Sequence, residues 1–129
     1  VMGTWGLAAF ENDDAVDLGY EIEEGGWTVA TRAMAKVILK FGYLEAPDSQ
    51  RGVAAATLVA AKRRPDVVDL SPEVAILRDL LPPPPPFSAQ LARLTLNRVM
   101  RRSELQELWA ESPELDEWRA ETSKGLQAL

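Results

Sequence analysis

An all-α single domain is the fold this sequence predicts, and three observations predict it. Apolar residues recur at spacings of three and four along most of the chain, the period of a helix, and no stretch reads as a strand. Helix-start signals recur at Asn12-Asp13, Ser71-Pro72, Ser103 with Gln106, and Ser112-Pro113. Helix stops separate them, at Gly25-Gly26, Gly42, Pro65 and the five prolines 82–86. The reading is a small bundle of five or six helices over residues 1–129, with the polyproline run 82–86 as a connector inside it.

The first helix is expected to start at Asn12 or Asp13, whose side-chain oxygen can accept a hydrogen bond from an amide two or three residues on. Acids in its first turn complement the positive end of the helix dipole. It should end before Gly25-Gly26, where glycine permits backbone conformations other residues avoid. Trp27, Ala30, Met34, Val37, Ile38 and Phe41 then form one apolar stripe on a second helix that Gly42 stops. Arg32, Lys36 and Lys40 step by four along its opposite, solvated face.

Residues 43–47 turn the chain, and Asp48 or Ser49 is the expected cap of the third helix. Its body, residues 53–61, is alanine-rich on nearly every side, which predicts a central position, because alanines let neighbouring backbones approach closely. Lys62-Arg63-Arg64 closes it with positive charge, and Pro65 stops it. Ser71-Pro72-Glu73 starts a short helix to Leu81. The prolines that follow have no N–H to donate and must run extended, most simply as a spacer between helices. Ser88 is the expected cap of a helix with Leu91, Ala92, Leu94, Leu96 and Val99 on its apolar face. Ser103-Glu104-Leu105-Gln106 fits a capping box, where that helix breaks and restarts. Leu105, Leu108 and Trp109 point inward there, and Ser112-Pro113-Glu114 begins a last helix with Leu115, Trp118 and Leu126 inward.

Composition narrows the functional classes. With 47% hydrophobic and 26% charged residues, the chain is globular rather than disordered. No run approaches the ~18 apolar residues of a spanning helix, so no membrane partner is expected. Met2 is the expected natural start, no secretory leader is visible, and the expected compartment is the cytoplasm. Zero cysteines exclude disulfides and thiolate zinc sites, and zero histidines remove the commonest metal ligand and general base. The net charge of −6 is uneven. Residues 1–26 carry seven acids and no base, residues 27–103 twelve bases against six acids, and residues 104–129 seven acids against two bases. Either the acidic ends pack beside the basic middle, or they form an acidic face for a basic partner. Nucleic acid is not an expected partner, since phosphate binding needs a basic footprint.

Two stretches, Met2-Gly3-Thr4-Trp5-Gly6 with Phe10-Glu11-Asn12-Asp13-Asp14, and Ser103-Glu104-Leu105-Gln106-Glu107-Leu108-Trp109-Ala110-Glu111-Ser112, carry a family likeness. Through them the chain resembles a bacterial family of small proteins classed as domain of unknown function 4259. Tyr43-Leu44-Glu45-Ala46 and the alanine-rich helix extend the likeness over essentially the whole chain. Where the family often continues Asp-Trp after the first acidic cluster, Asp17 is followed here by Leu18-Gly19, which is expected to shorten or kink the first helix. The resemblance implies a helical fold and no established activity, cofactor or catalytic residue.

Three constellations remain as candidates. Asp13, Asp14 and Asp17 read D-D-x-x-D, and Asp13 and Asp17 one helical turn apart could share a magnesium ion; their plainer role is a capped, dipole-compensated helix start. Glu104, Glu107, Glu111, Glu114 and Glu117 form a carboxylate row of the kind that grips Mg²⁺-pyrophosphate in helical hydrolases, or else a solvated face. No serine has a histidine to activate it, and Gly3-Thr4-Trp5-Gly6 lacks the lysine of a phosphate-binding loop. Trp5, Trp27, Trp109 and Trp118 are expected core anchors, with Trp5 and Phe10 plugging the end of the bundle against Leu105 or Trp109. The expected function is therefore a non-enzymatic protein–protein interaction module without a cofactor, in one version an immunity or antitoxin-like protein. The rival is a Mg²⁺-dependent hydrolase built on Asp13, Asp14, Asp17 and Glu104.

Overall fold

The computed structural model describes residues 3–129; Val1 and Met2, the latter being the expected start and the first letter of the N-terminal motif, lie outside the described residues. Among the described residues there are seven helices and no strand. They are α1 (Asp13–Gly25), α2 (Trp27–Leu39), α3 (Ala46–Arg63), α4 (Pro72–Leu80), α5 (Ser88–Arg101), α6 (Glu104–Ala110) and α7 (Leu115–Ala128). The all-α expectation is met, and the count exceeds five or six because the restart at Ser103 is complete. Ser103 has an extended backbone; its Oγ accepts from the Gln106 amide at 3.0 Å and donates to the Val99 carbonyl at 2.7 Å. One hydroxyl thereby ends α5 and starts α6.

Helix α3 is the axis of the molecule. Every residue from Gly52 to Ala61 is buried, and α3 touches each of the other six helices. Small residues set the spacing: a Cβ on Gly52 would overlap the Val37 Cγ2 methyl of α2 and crowd the Thr95 Cγ2 of α5 at 3.1 Å. On α7, a Cβ on Gly125 would meet Leu96 Cδ1 at 3.1 Å. Leu18, Ile22, Met34, Leu58 and Leu96 fill the core around this axis, and Trp109 stacks on Trp118 with ring centroids 6.3 Å apart.

Three helix ends differ from expectation, two of them because a distant residue supplies the cap. Helix α2 stops at Leu39, before Phe41 and Gly42. The Arg98 guanidinium of α5 donates to the carbonyls of Val37 (2.7 Å), Lys40 (2.6 Å) and Gly42 (3.0 Å), satisfying the orphan acceptors of that end. Phe41, expected on the buried stripe, is consequently turned fully into solvent. Helix α3 begins at Ala46, one turn ahead of the expected Asp48 or Ser49, with Pro47 in its first two positions where no amide is needed. Its first amide, that of Ala46, donates to Glu104 Oε1 of α6 at 2.8 Å. Ser88 is the first residue of α5 rather than its cap, since Phe87 takes the left-handed conformation before it (φ 69°) and Ser88 Oγ donates to the Pro85 carbonyl.

Helix α4 alone among the seven described helices buries none of its residues. It leans on α1 and α3 through half-buried Val74 and Leu77. The proline connector after it is tied down by the Trp27 indole N–H, which donates to the Pro82 carbonyl at 2.6 Å. Among the described residues no helix is long and apolar enough to cross a membrane.

Candidate functional site

Residues 3–12 close on themselves before α1. Thr4 and Asn12 form an isolated antiparallel bridge, the Trp5 amide donates to the Glu11 carbonyl at 3.0 Å, and the Asp13 amide donates to the Gly3 carbonyl at 2.9 Å. Inside the loop the Glu11 carboxylate accepts from the Ala8 amide, and Asn12 Nδ2 donates to the Ala9 carbonyl. Thr4 Oγ1 accepts from buried Gln50 Nε2 of α3, anchoring the loop to the core. In an extended stretch successive side chains point to opposite faces, so with Thr4 inward Trp5 is carried outward. Trp5 is 59% exposed, which corrects the expectation that it plugs the bundle. Leu7, Ala8 and Ala9 border Leu105, Trp109 and Trp118 in its place, while Phe10 is half-buried against the core on the other side of the loop.

Behind this loop lies a groove of about 800 Å³. Its walls are the loop (Trp5 to Glu11), the Val16, Gly19, Tyr20 and Glu23 face of α1, α4 with the segment before it, and the Glu121 to Gly125 face of α7. Thr57 of α3 and buried Val68 and Thr122 form its deeper surface, and Phe10, Val74 and Leu77 make it apolar. Among the described residues five carboxylates line it, Glu11, Glu23, Asp69, Glu73 and Glu121, against one cation, Lys124. That ammonium is already committed: it meets Glu121 Oε2 at 2.8 Å, and this hydrogen bond, with the nearby Asp69 charge, holds its pKa above the ordinary lysine value. Glu23, Asp69 and Glu73 form no salt bridge among the described residues. Trp5 and Tyr20, 59% and 66% exposed, supply aromatic surface to the same groove.

The aspartates at the start of α1 lie outside this groove. Asn12 caps α1 as expected, its Oδ1 accepting from the Ala15 amide at 2.8 Å, and Asp13 and Asp14 occupy the first turn. The Asp14 carboxyl is held above its ordinary pKa by burial first and by the neighbouring Asp17 second, with Arg51 opposing. Arg51 reaches α1 from α3 and grips Glu21 with both terminal nitrogens, at 2.8 and 3.1 Å. Its positive charge also acts on Asp14 and Asp48, so a guanidinium supplies counter-charge among these acids. No group of three or more acidic side chains among the described residues is arranged to hold a metal ion.

With the geometry in place, comparison with known proteins adds one finding. The model of the family described as Domain of unknown function (DUF4259) matches residues 3–121. The chain belongs to this family. No curated protein and no solved structure matches the chain.

In this DUF4259 member the stretches that carry the family likeness are bound to one another. Glu104 caps α3 at Ala46, the Glu104 amide donates to the Leu44 carbonyl at 2.8 Å, and the Tyr43 hydroxyl donates to Glu107 at 2.6 Å. That last bond pushes the Tyr43 phenol up to about 12. Glu104 and Trp109 are thus parts of the scaffold, whereas Trp5 faces solvent. Tyr20, Asp69, Glu73 and Glu121 were not singled out by sequence pattern; they come together only because α1, α4 and α7 converge.

Proposed function

We propose that this protein is a non-enzymatic interaction module of the bacterial cytoplasm, which presents the acidic groove to a basic protein partner. An immunity or antitoxin-like protein that blunts a basic toxin or nuclease is the particular version favoured. The observation that carries the reading is the imbalance in the groove: five carboxylates, one lysine already paired, and two exposed aromatic rings. Such a surface raises the encounter rate with a cationic partner and penalises an anionic one. Exposed tryptophan and tyrosine are the side chains most often found to dominate binding energy at interfaces. The test is capture of partners from the native host, read together with neighbouring genes. A basic protein retained at low salt and released as salt rises supports the reading, and no specific partner at any ionic strength contradicts it.

A Mg²⁺-dependent hydrolase using Asp13, Asp14 and Asp17 is the second reading. The observation in its favour is that Asp14 lies one turn from Asp17 with its carboxyl held up by burial first and by the Asp17 charge second, the latter a repulsion that a bound cation would relieve. Against it, the three acids share one helix start, and magnesium needs near-octahedral oxygen geometry from several directions. Saturable Mg²⁺ binding, lost in Asp14→Asn or Asp17→Asn, would put this reading first; a melting temperature unmoved beyond a salt control would remove it.

A further inference from the structure

We infer that the groove is the seat of an amphipathic, Lys- or Arg-rich helix of a protein partner, an inference that rests on the interaction-module reading. Two independent features point to this occupant. The first is charge: Glu23 on α1, Asp69 before α4 and Glu73 on α4 stand around the groove without a salt-bridge partner among the described residues. The second is unfinished packing. Helix α4 buries no residue, and its inward Val74 and Leu77 remain half-buried beside the groove. Each of the other six described helices, by contrast, buries at least two of its residues.

An occupant must therefore bring apolar side chains for the α4 wall and cations for the carboxylates. A small polyamine brings the cations and leaves the apolar wall wet. A second copy of this chain brings a net charge of −6 to an acidic surface and is repelled. A strand would need a sheet edge to extend, and the walls here are helices and loops. A helix laid between α1, α4 and α7 meets both demands, with residues at i, i+3, i+4 and i+7 on Val74 and Leu77 and its lysines outward to Glu23 and Glu73. Trp5 and Tyr20 then offer ring faces to a lysine or arginine at the mouth.

The probe is a synthetic helical peptide of leucine and lysine in a 3.6-residue pattern. Its controls are the same composition in strict alternation, a leucine–glutamate counterpart, and spermine. Trp5 emission reports binding, because Trp27, Trp109 and Trp118 are buried. Binding of the helical probe should be saturable, and the glutamate peptide should not bind. Glu23→Gln with Glu73→Gln should weaken it about fivefold, and Trp5→Ala about thirtyfold, read by anisotropy of a labelled probe. These side chains are exposed, so an unchanged melting temperature checks that each variant folds. Equal affinity for the alternating peptide, equal affinity in the groove variants, or full competition by spermine would each overturn the inference. If the helical probe fails these tests while the groove variants lose a basic host protein that wild type captures, the helix seat is wrong and the interaction module stands.

Discussion

Replacing Gly52 by alanine tests how closely three helices are held around the axis of the fold. Gly52 lies inside α3, so alanine fits its backbone and improves helix propensity by about 1 kcal/mol. The added methyl, however, would overlap Val37 Cγ2 and stand 3.1 Å from Thr95 Cγ2, and both neighbours are fully buried. Overpacking of this kind costs about 1–3 kcal/mol. With the methyl inside contact distance the upper end applies, and the net loss should be about 1–2 kcal/mol, or a fall of roughly 4–8 °C in Tm. Val37→Ala alone leaves a void in the core and should cost about 2 kcal/mol. In the double variant the alanine methyl occupies part of that void, so the combined loss should fall short of the sum by on the order of 2 kcal/mol. Urea unfolding of the four proteins measures the cycle. A Gly52→Ala protein as stable as wild type, or strictly additive losses, would refute the close approach of α2 and α3.

Arg98→Gln should strip the cap from α2, releasing three carbonyls, and cost on the order of 2 kcal/mol in unfolding free energy; hydrogen exchange should rise first near residues 37–42. Asp14 holds its proton more tightly folded than unfolded, so its penalty is fully present above the raised folded pKa and is relieved as pH falls below the ordinary carboxylate value. Asp14→Asn should therefore raise Tm at pH 7 and leave it unchanged below about pH 3.5, as thermal melts across pH would show. Iodide should quench one accessible component of the tryptophan emission in wild type, and Trp5→Phe should abolish that component. Persistent quenching in Trp5→Phe would mean that a ring placed in the core is open to solvent.

Local signals in the chain were sufficient for elements whose caps come from their own neighbourhood. Asn12 at α1, Ser103 at α6 and the alanine run of α3 each combine a short-range hydrogen bond or periodicity with the final structure. Two of the errors fall where the deciding partner is remote. Gly42 looked like the end of α2, but Arg98, 56 residues away, caps that helix earlier and frees Phe41. Asp48 or Ser49 looked like the cap of α3, but Glu104, 58 residues away from Ala46, supplies it. Trp5 followed the general rule that tryptophan is buried, and the Thr4–Asn12 bridge reversed it. The groove was legible only in part, through the acidic bias of both chain ends that supplies Glu11, Glu23 and Glu121; Asp69 and Glu73 come from the net-basic middle. Which of those acids meet is decided by α1, α4 and α7 packing on one side of α3, and no local pattern encodes it.

The most direct measurement is a side-by-side capture from the native host by the wild-type protein and a Trp5→Ala, Glu23→Gln, Glu73→Gln variant of equal melting temperature. These three side chains line the groove and support no part of the core. If the groove is the working surface, wild type retains a basic protein that elutes with salt, and the variant does not. Retention of the same protein by both, or of a partner with an acidic surface, would contradict it.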